Sequence, residues 1–164
     1  MNKIYKRGLI TELYPENMSF GEDLVFVLNY LKHCNRISFT QEPLYQHEVY
    51  NSVSLTHSFA PARFSNLEDI QKAILDFADD KNKINPRIYD KYVKDALHLT
   101  RMWYKNKNVP YIRKKEIIGE WLKQSYIRKL KISDYQLHWK DRMLLHCLHM
   151  SCFIGINLIV NGKE

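Results

Sequence analysis

Residues 19–34, SFGEDLVFVLNYLKHC, place Leu24, Val27, Leu28 and Leu31 at i, i+3, i+4 and i+7. That spacing puts four apolar side chains on one helical face, and such a face requires a packing partner. The residues ahead of it read as a start signal. Ser19 followed three positions later by Glu22 fits a capping box, in which the serine oxygen and the glutamate carboxylate satisfy free amides of the first turn. The helix is therefore expected to be buried, to begin near Gly21 and to end at Asn35. Asp23 falls in its first turn, where the positive end of the helix dipole favours a carboxylate able to accept a hydrogen bond or a proton. Gly21, lacking a side chain, leaves room for a ligand to come close to the backbone. Taken alone, the acidic pair is also what an ordinary helix N-terminus carries.

A wider set of motifs surrounds that pair. Asn2-Lys3-Ile4-Tyr5-Lys6-Arg7, a turn-rich spacer with Pro15 and Asn17, Gly21-Glu22-Asp23-Leu24, the amphipathic helix, Arg36-Ile37-Ser38-Phe39 and Glu42-Pro43-Leu44-Tyr45 follow in order. In order and spacing they resemble the second half of bacterial family 2 glycosyltransferases, over residues 1 to about 55. The resemblance implies the C-terminal part of a GT-A-like α/β domain, lacking the nucleotide-binding half that carries the metal-binding Asp-x-Asp motif. No Asp-x-Asp stands in this sequence, Asp79 and Asp80 being adjacent, and its five glycines form no phosphate loop. Asp23 is then the expected catalytic base, with Glu22 shaping the helix start and binding sugar hydroxyls. Tyr45, His47 and Asn51 are expected to border the transfer cleft as substrate-binding residues, although Glu48 and Val49 stand where the family often has Arg. The complete enzyme would take a nucleotide-sugar donor and a saccharide or lipid-linked acceptor in bacterial surface polysaccharide synthesis, with Mg²⁺ or Mn²⁺. This chain alone would bind no metal and transfer little or no sugar.

The expected fold class is α+β and mostly helical, with residues 1–60 forming the transferase portion and 61–164 a helical extension of about four helices. Arg36-Ile37-Ser38-Phe39-Thr40 and the alternating Leu44 to Tyr50 read as short strands. Read from the residues alone, His47 is a half-buried strand histidine bonded to backbone, since no second metal-type ligand sits at a diagnostic spacing beside it. Ser65 with Glu68 suggests a second capping box, opening a helix along Leu67, Ile70, Ile74 and Phe77 to Asp79, and makes Glu68-Asp69 structural. Asn85-Pro86 opens the next helix towards Tyr104, Val109-Pro110 another with Ile117, Ile118, Trp121 and Leu122, and Ser133 with Gln136 the last.

Charge is unevenly placed. Of the formal +7, residues 101–142 hold twelve Lys or Arg against four acids, interleaved with aromatic residues such as Trp103, Tyr111, Trp121 and Trp139. Such a segment attracts phosphate-bearing partners, an anionic membrane surface among them, and solvated basic faces over helix cores give the same pattern. No nucleic-acid motif accompanies the charge, so a nucleic-acid partner is not expected. Residues 144–160 are the only membrane-insertion candidate, and they fall short of about 20 apolar residues. They suit lying on a surface better than crossing one. Cys34, Cys147 and Cys152 are odd in number and unpaired in spacing, which suggests free thiols in the cytoplasm. The protein could then sit peripherally on the inner face of the cell membrane. His146, Cys147, His149 and Cys152 raise a zinc question, but Cys147 falls off the shared helix face. The alternative to a transferase is a non-catalytic basic helical module holding a membrane surface or a partner protein. Self-association through unpaired strand edges is a further expectation.

Overall fold

The computed structural model describes residues 3–42, 60–78, 87–132 and 135–162. Among them are six α-helices and no strand: α1 (Glu22–Leu31), α2 (Ala62–Phe77), α3 (Arg87–Lys105), α4 (Tyr111–Gln124), α5 (Trp139–His149) and α6 (Phe153–Asn161). Single 3-10 turns stand at Arg7–Leu9 and Tyr126–Lys129.

α3 is the central element. Val93, Ala96, Leu97, Thr100 and Tyr104 recur at helical spacing and are all buried, so one side of the helix is continuously covered. Around it pack α2, α4, α5 and α6, with Ile118 and Leu122 of α4, Leu144, Leu145 and Leu148 of α5 and Ile156 of α6 in the same core. The Thr100 hydroxyl is satisfied within its own helix, donating to the Ala96 carbonyl at 2.8 Å. Lys114 is buried as well, and its ammonium donates to the Tyr104 carbonyl at 2.6 Å, where a cation meets the negative end of α3. Burial lowers the Lys114 pKa from its ordinary value.

Glu68 is the polar centre of this core. Its Oε1 accepts from the Tyr92 hydroxyl (2.5 Å) and from Trp121 Nε1 (2.6 Å), and its Oε2 accepts from the Tyr126 amide (3.1 Å). One carboxylate thus ties α2 to α3, α4 and the turn after α4. Because Tyr92 spends its proton on Glu68, the buried Ser125 hydroxyl must donate to Tyr92 (2.8 Å), while it accepts from the Ile127 amide (3.2 Å). Burial, and then the Glu68 charge, push the Tyr92 hydroxyl pKa upward, which keeps it a donor.

Several expectations are corrected here. Mostly helical holds, but Arg36 to Thr40 is irregular and exposed, with Phe39 at 91%. β-forming side chains make a strand only beside a partner that takes up the backbone amides, and no described residue supplies one. Leu44 to Tyr50, Asn85-Pro86 and Ser133 lie outside the described residues. α1 ends at Leu31, its chain tightening through i to i−3 bonds from His33 and Cys34. Phe26 is its one buried residue, and Leu24, Val27, Leu28 and Leu31 are half-buried, because α1 lies on α2 at the side of the bundle. α2 starts at Ala62, so Ser65 does not cap it; the Ser65 hydroxyl donates to the Ala62 carbonyl at 2.8 Å, and Glu68 serves the core instead. α5 starts at Trp139, with His138 Nδ1 accepting from the Lys140 amide. The apolar tail is two helices, broken at Ser151, whose φ of 52° takes the backbone out of the helix. Among the described residues no helix is long and apolar enough to cross a membrane.

Candidate functional site

The segment before α1 runs back along it. The Lys6 amide donates to the Tyr30 hydroxyl (2.8 Å), Asn29 Nδ2 donates to Glu12 Oε2 (2.5 Å), and Thr11 Oγ1 meets His33 Nε2 (3.1 Å). Tyr5 stands edge-on to Phe26 and Tyr30, with centroids 5.1 and 4.9 Å away, and Tyr14 stacks on Phe26 at 4.4 Å. These rings form a satellite cluster that holds residues 5–14 against the helix carrying the acidic pair.

At the helix mouth the geometry differs from a capping box. Gly21 is the N-cap, with φ at 77°, and no side chain caps the first turn from that position. Ser19 turns away: its amide and hydroxyl both donate to Asn66 Oδ1 of α2, at 3.2 and 3.3 Å. Gly21 is needed twice over. Its φ is one that L side chains rarely adopt, and a Cβ there would stand 2.1 Å from Ile70 Cδ1 of α2. The space expected to admit a ligand against the Gly21 backbone is therefore filled by Ile70.

Asp23 is exposed, in the first turn of α1. Its Oδ1 accepts from the Leu24 amide at 2.8 Å, which fixes the carboxylate at the helix mouth. No ion pair among the described residues occupies it. Glu22, half-buried, is the first residue of the helix. The Tyr5 hydroxyl is buried and finds no hydrogen-bond partner among the described residues. Its pKa is raised by burial first, then by the neighbouring Tyr14, Asp23 and Tyr30. Tyr5 had a place in the sequence motif but no role. The signal that could have assigned one is that its ring must pack on α1 if residues 2–7 return to that helix.

Tyr45, His47 and Asn51 lie outside the described residues, so the structure brings together Glu22 and Asp23 and leaves the other three unplaced. No protein-family model, curated protein or solved structure matches this chain. At the far end, a side chain at Gly155 would meet Cys147 Sγ at 2.7 Å and Cys152 Sγ at 3.1 Å, so the two thiols share the space above it. Burial, and then Cys152, raise the Cys147 pKa. His149 Nε2 is buried without a hydrogen-bond partner among the described residues. Among those residues no group of three His, Cys, Asp or Glu side chains could hold a metal ion.

Proposed function

We propose that this chain supplies the acceptor-side portion of an inverting glycosyltransferase of the family 2 kind, acting in bacterial surface polysaccharide synthesis. The observation that carries the proposal is the Asp23 carboxylate. It is exposed at a helix mouth, held through one oxygen by its neighbour's amide, and set in the Gly21-Glu22-Asp23-Leu24 motif that resembles the family.

With Oδ1 held by the Leu24 amide, Oδ2 is the oxygen to take the proton from an acceptor hydroxyl. As that proton leaves, the acceptor oxygen attacks the anomeric carbon, and the nucleoside diphosphate departs from the opposite face with the bonding pair. The configuration inverts. Glu22 would bind sugar hydroxyls beside it; Tyr45, His47 and Asn51, expected from the resemblance as further sugar-binding residues, lie outside the described residues. The nucleotide sugar would be held by a donor-binding portion outside this sequence. The Mg²⁺ or Mn²⁺ of the complete enzyme would be held there too and would neutralise the leaving diphosphate. A nucleotide-sugar donor implies the cytoplasm as the compartment in which this proposal has the chain act.

The test is an in-frame fusion behind a donor-binding half bearing an Asp-x-Asp motif, assayed for nucleoside diphosphate release with acceptor present. Asp23→Asn is expected to lower turnover by about 10²-fold or more, the usual worth of a positioned general base, with helix content unchanged. Undiminished turnover in that variant rules out Asp23 as the base.

A further inference from the structure

α5 and α6 present a surface that the transferase proposal does not use. Trp139, Met143, His146 and Met150 stand at i, i+4, i+7 and i+11, one side of α5 and its C-cap, and all are exposed. After the turn at Ser151, Ile154 and Leu158 stand at i and i+4 on α6. The exposures are large for such side chains: Trp139 59%, Met150 79%, Ile154 70% and Leu158 65%. α6 carries no charged residue and fully buries Ile156 alone. Large exposed apolar side chains on two helices that pack together mark an interaction surface.

The charge around this surface chooses its occupant. From Tyr111 to Gly162 the described residues hold nine Lys or Arg against three acids. Two of those acids are engaged, Glu116 by Arg113 at 3.0 Å and Asp141 by Arg101. Arg128 Nη2 donates to Ser151 Oγ at 2.6 Å, which sets its guanidinium at the turn beside Met150. Arg142 is exposed next to Met143, and Lys140 Nζ lies 5.6 Å from the Trp139 ring centroid. Apolar side chains, an exposed tryptophan and flanking cations together suit the headgroup layer of an anionic bilayer. A second copy would bring the same positive border against itself.

We propose that the α5–α6 hairpin docks flat on an anionic membrane surface, with Trp139, Met143, Met150, Ile154 and Leu158 entering the headgroup layer and Arg128 and Arg142 meeting lipid phosphates. The face is remote in sequence from Asp23, so the proposal stands or falls separately from the catalytic one.

The experiment is co-sedimentation of the full chain with vesicles of phosphatidylcholine alone and of phosphatidylcholine mixed with phosphatidylglycerol, at low and high salt. Binding is expected to the mixed vesicles only and to weaken with salt. It should be accompanied by a blue shift in fluorescence from Trp139, the other two tryptophans being buried. The I154S/L158S variant is expected to bind roughly tenfold or more weakly per side chain removed, with circular dichroism and thermal midpoint unchanged because both positions are exposed. R128Q/R142Q should flatten the salt dependence, and D23N should bind as the parent does. Equal binding to both vesicle types, or binding indifferent to I154S/L158S, overturns the proposal. So does a lipid-free dimer that I154S/L158S disperses, because the surface then belongs to a second copy.

Discussion

Glu68 shows what one carboxylate can organise. Three donors converge on it from three separate parts of the chain, and charge-assisted bonds of this kind are stronger than neutral ones. Glu68→Gln would set an amide NH₂ against at least one of those donors. It is expected to cost about 1–3 kcal/mol, and Glu68→Ala more, in denaturant-induced unfolding. An unchanged midpoint for both would show that the node contributes nothing. Gly21 gives a second test. Gly21→Ala is expected to lose about 1–2 kcal/mol from the positive φ and more from the encounter with Ile70. Only the second part is open to rescue, so the double variant with Ile70→Ala should show a coupling energy of about 0.5 kcal/mol or more. Strict additivity would place the whole cost in the backbone. The identity of both residues was plain in the sequence, but their partners were not. Glu68 stood in a convincing capping box, and Gly21 looked like an open approach, because neither the tyrosine and tryptophan donors nor Ile70 are sequence neighbours.

Among the elements, α1 and α3 differ sharply in how much they bury. α3 buries a full side against four other helices, whereas α1 buries Phe26 alone and rests on α2 with its aromatic satellite. Local opening free energy follows buried contact. Native-state amide exchange is therefore expected to show α1 opening well below the global unfolding free energy and the central α3 amides close to it. Equal protection in the two helices would contradict this division. The catalytic proposal places its base on the less stable element, as suits a residue that must meet an incoming acceptor. Helix positions were legible where apolar periodicity was strong, as along α3, and where a proline preceded it, as at Pro110 before α4. Where a polar cap motif alone marked a start, as at Ser65, the boundary was misread, because that serine hydroxyl bonds a nearby carbonyl instead of a free amide; α5 likewise starts at Trp139, later than the Ser133 and Gln136 motif placed it.

At the scale of the whole molecule, pH acts through His149 at the α5–α6 hairpin. Burial first, then the His146 and Arg128 charges, lower its pKa below the ordinary 6.5, against the opposing pull of the Ile127 backbone carbonyl. The folded state thus favours the neutral ring. The associated stability is complete above pH 6.5 and is lost as pH falls from there through the lowered folded value, since the unfolded chain binds the proton more readily. The thermal midpoint is expected to fall between pH 7.5 and 5.5, and His149→Gln should reduce that fall. An identical fall in the variant would assign the pH dependence to other groups.

The sequence by itself determined a mostly helical chain, the helical register of α3 and α4, the acidic pair at the mouth of α1 and the basic bias of the second half. These depend on neighbours within a few turns and on composition, both of which are local. The tertiary structure decided that Ile70 fills the space beside Gly21, that Glu68 is a half-buried hub for three donors and that the apolar tail folds back as a hairpin with exposed apolar side chains. Each of these depends on which distant side chains meet, and periodicity along one segment carries no record of that.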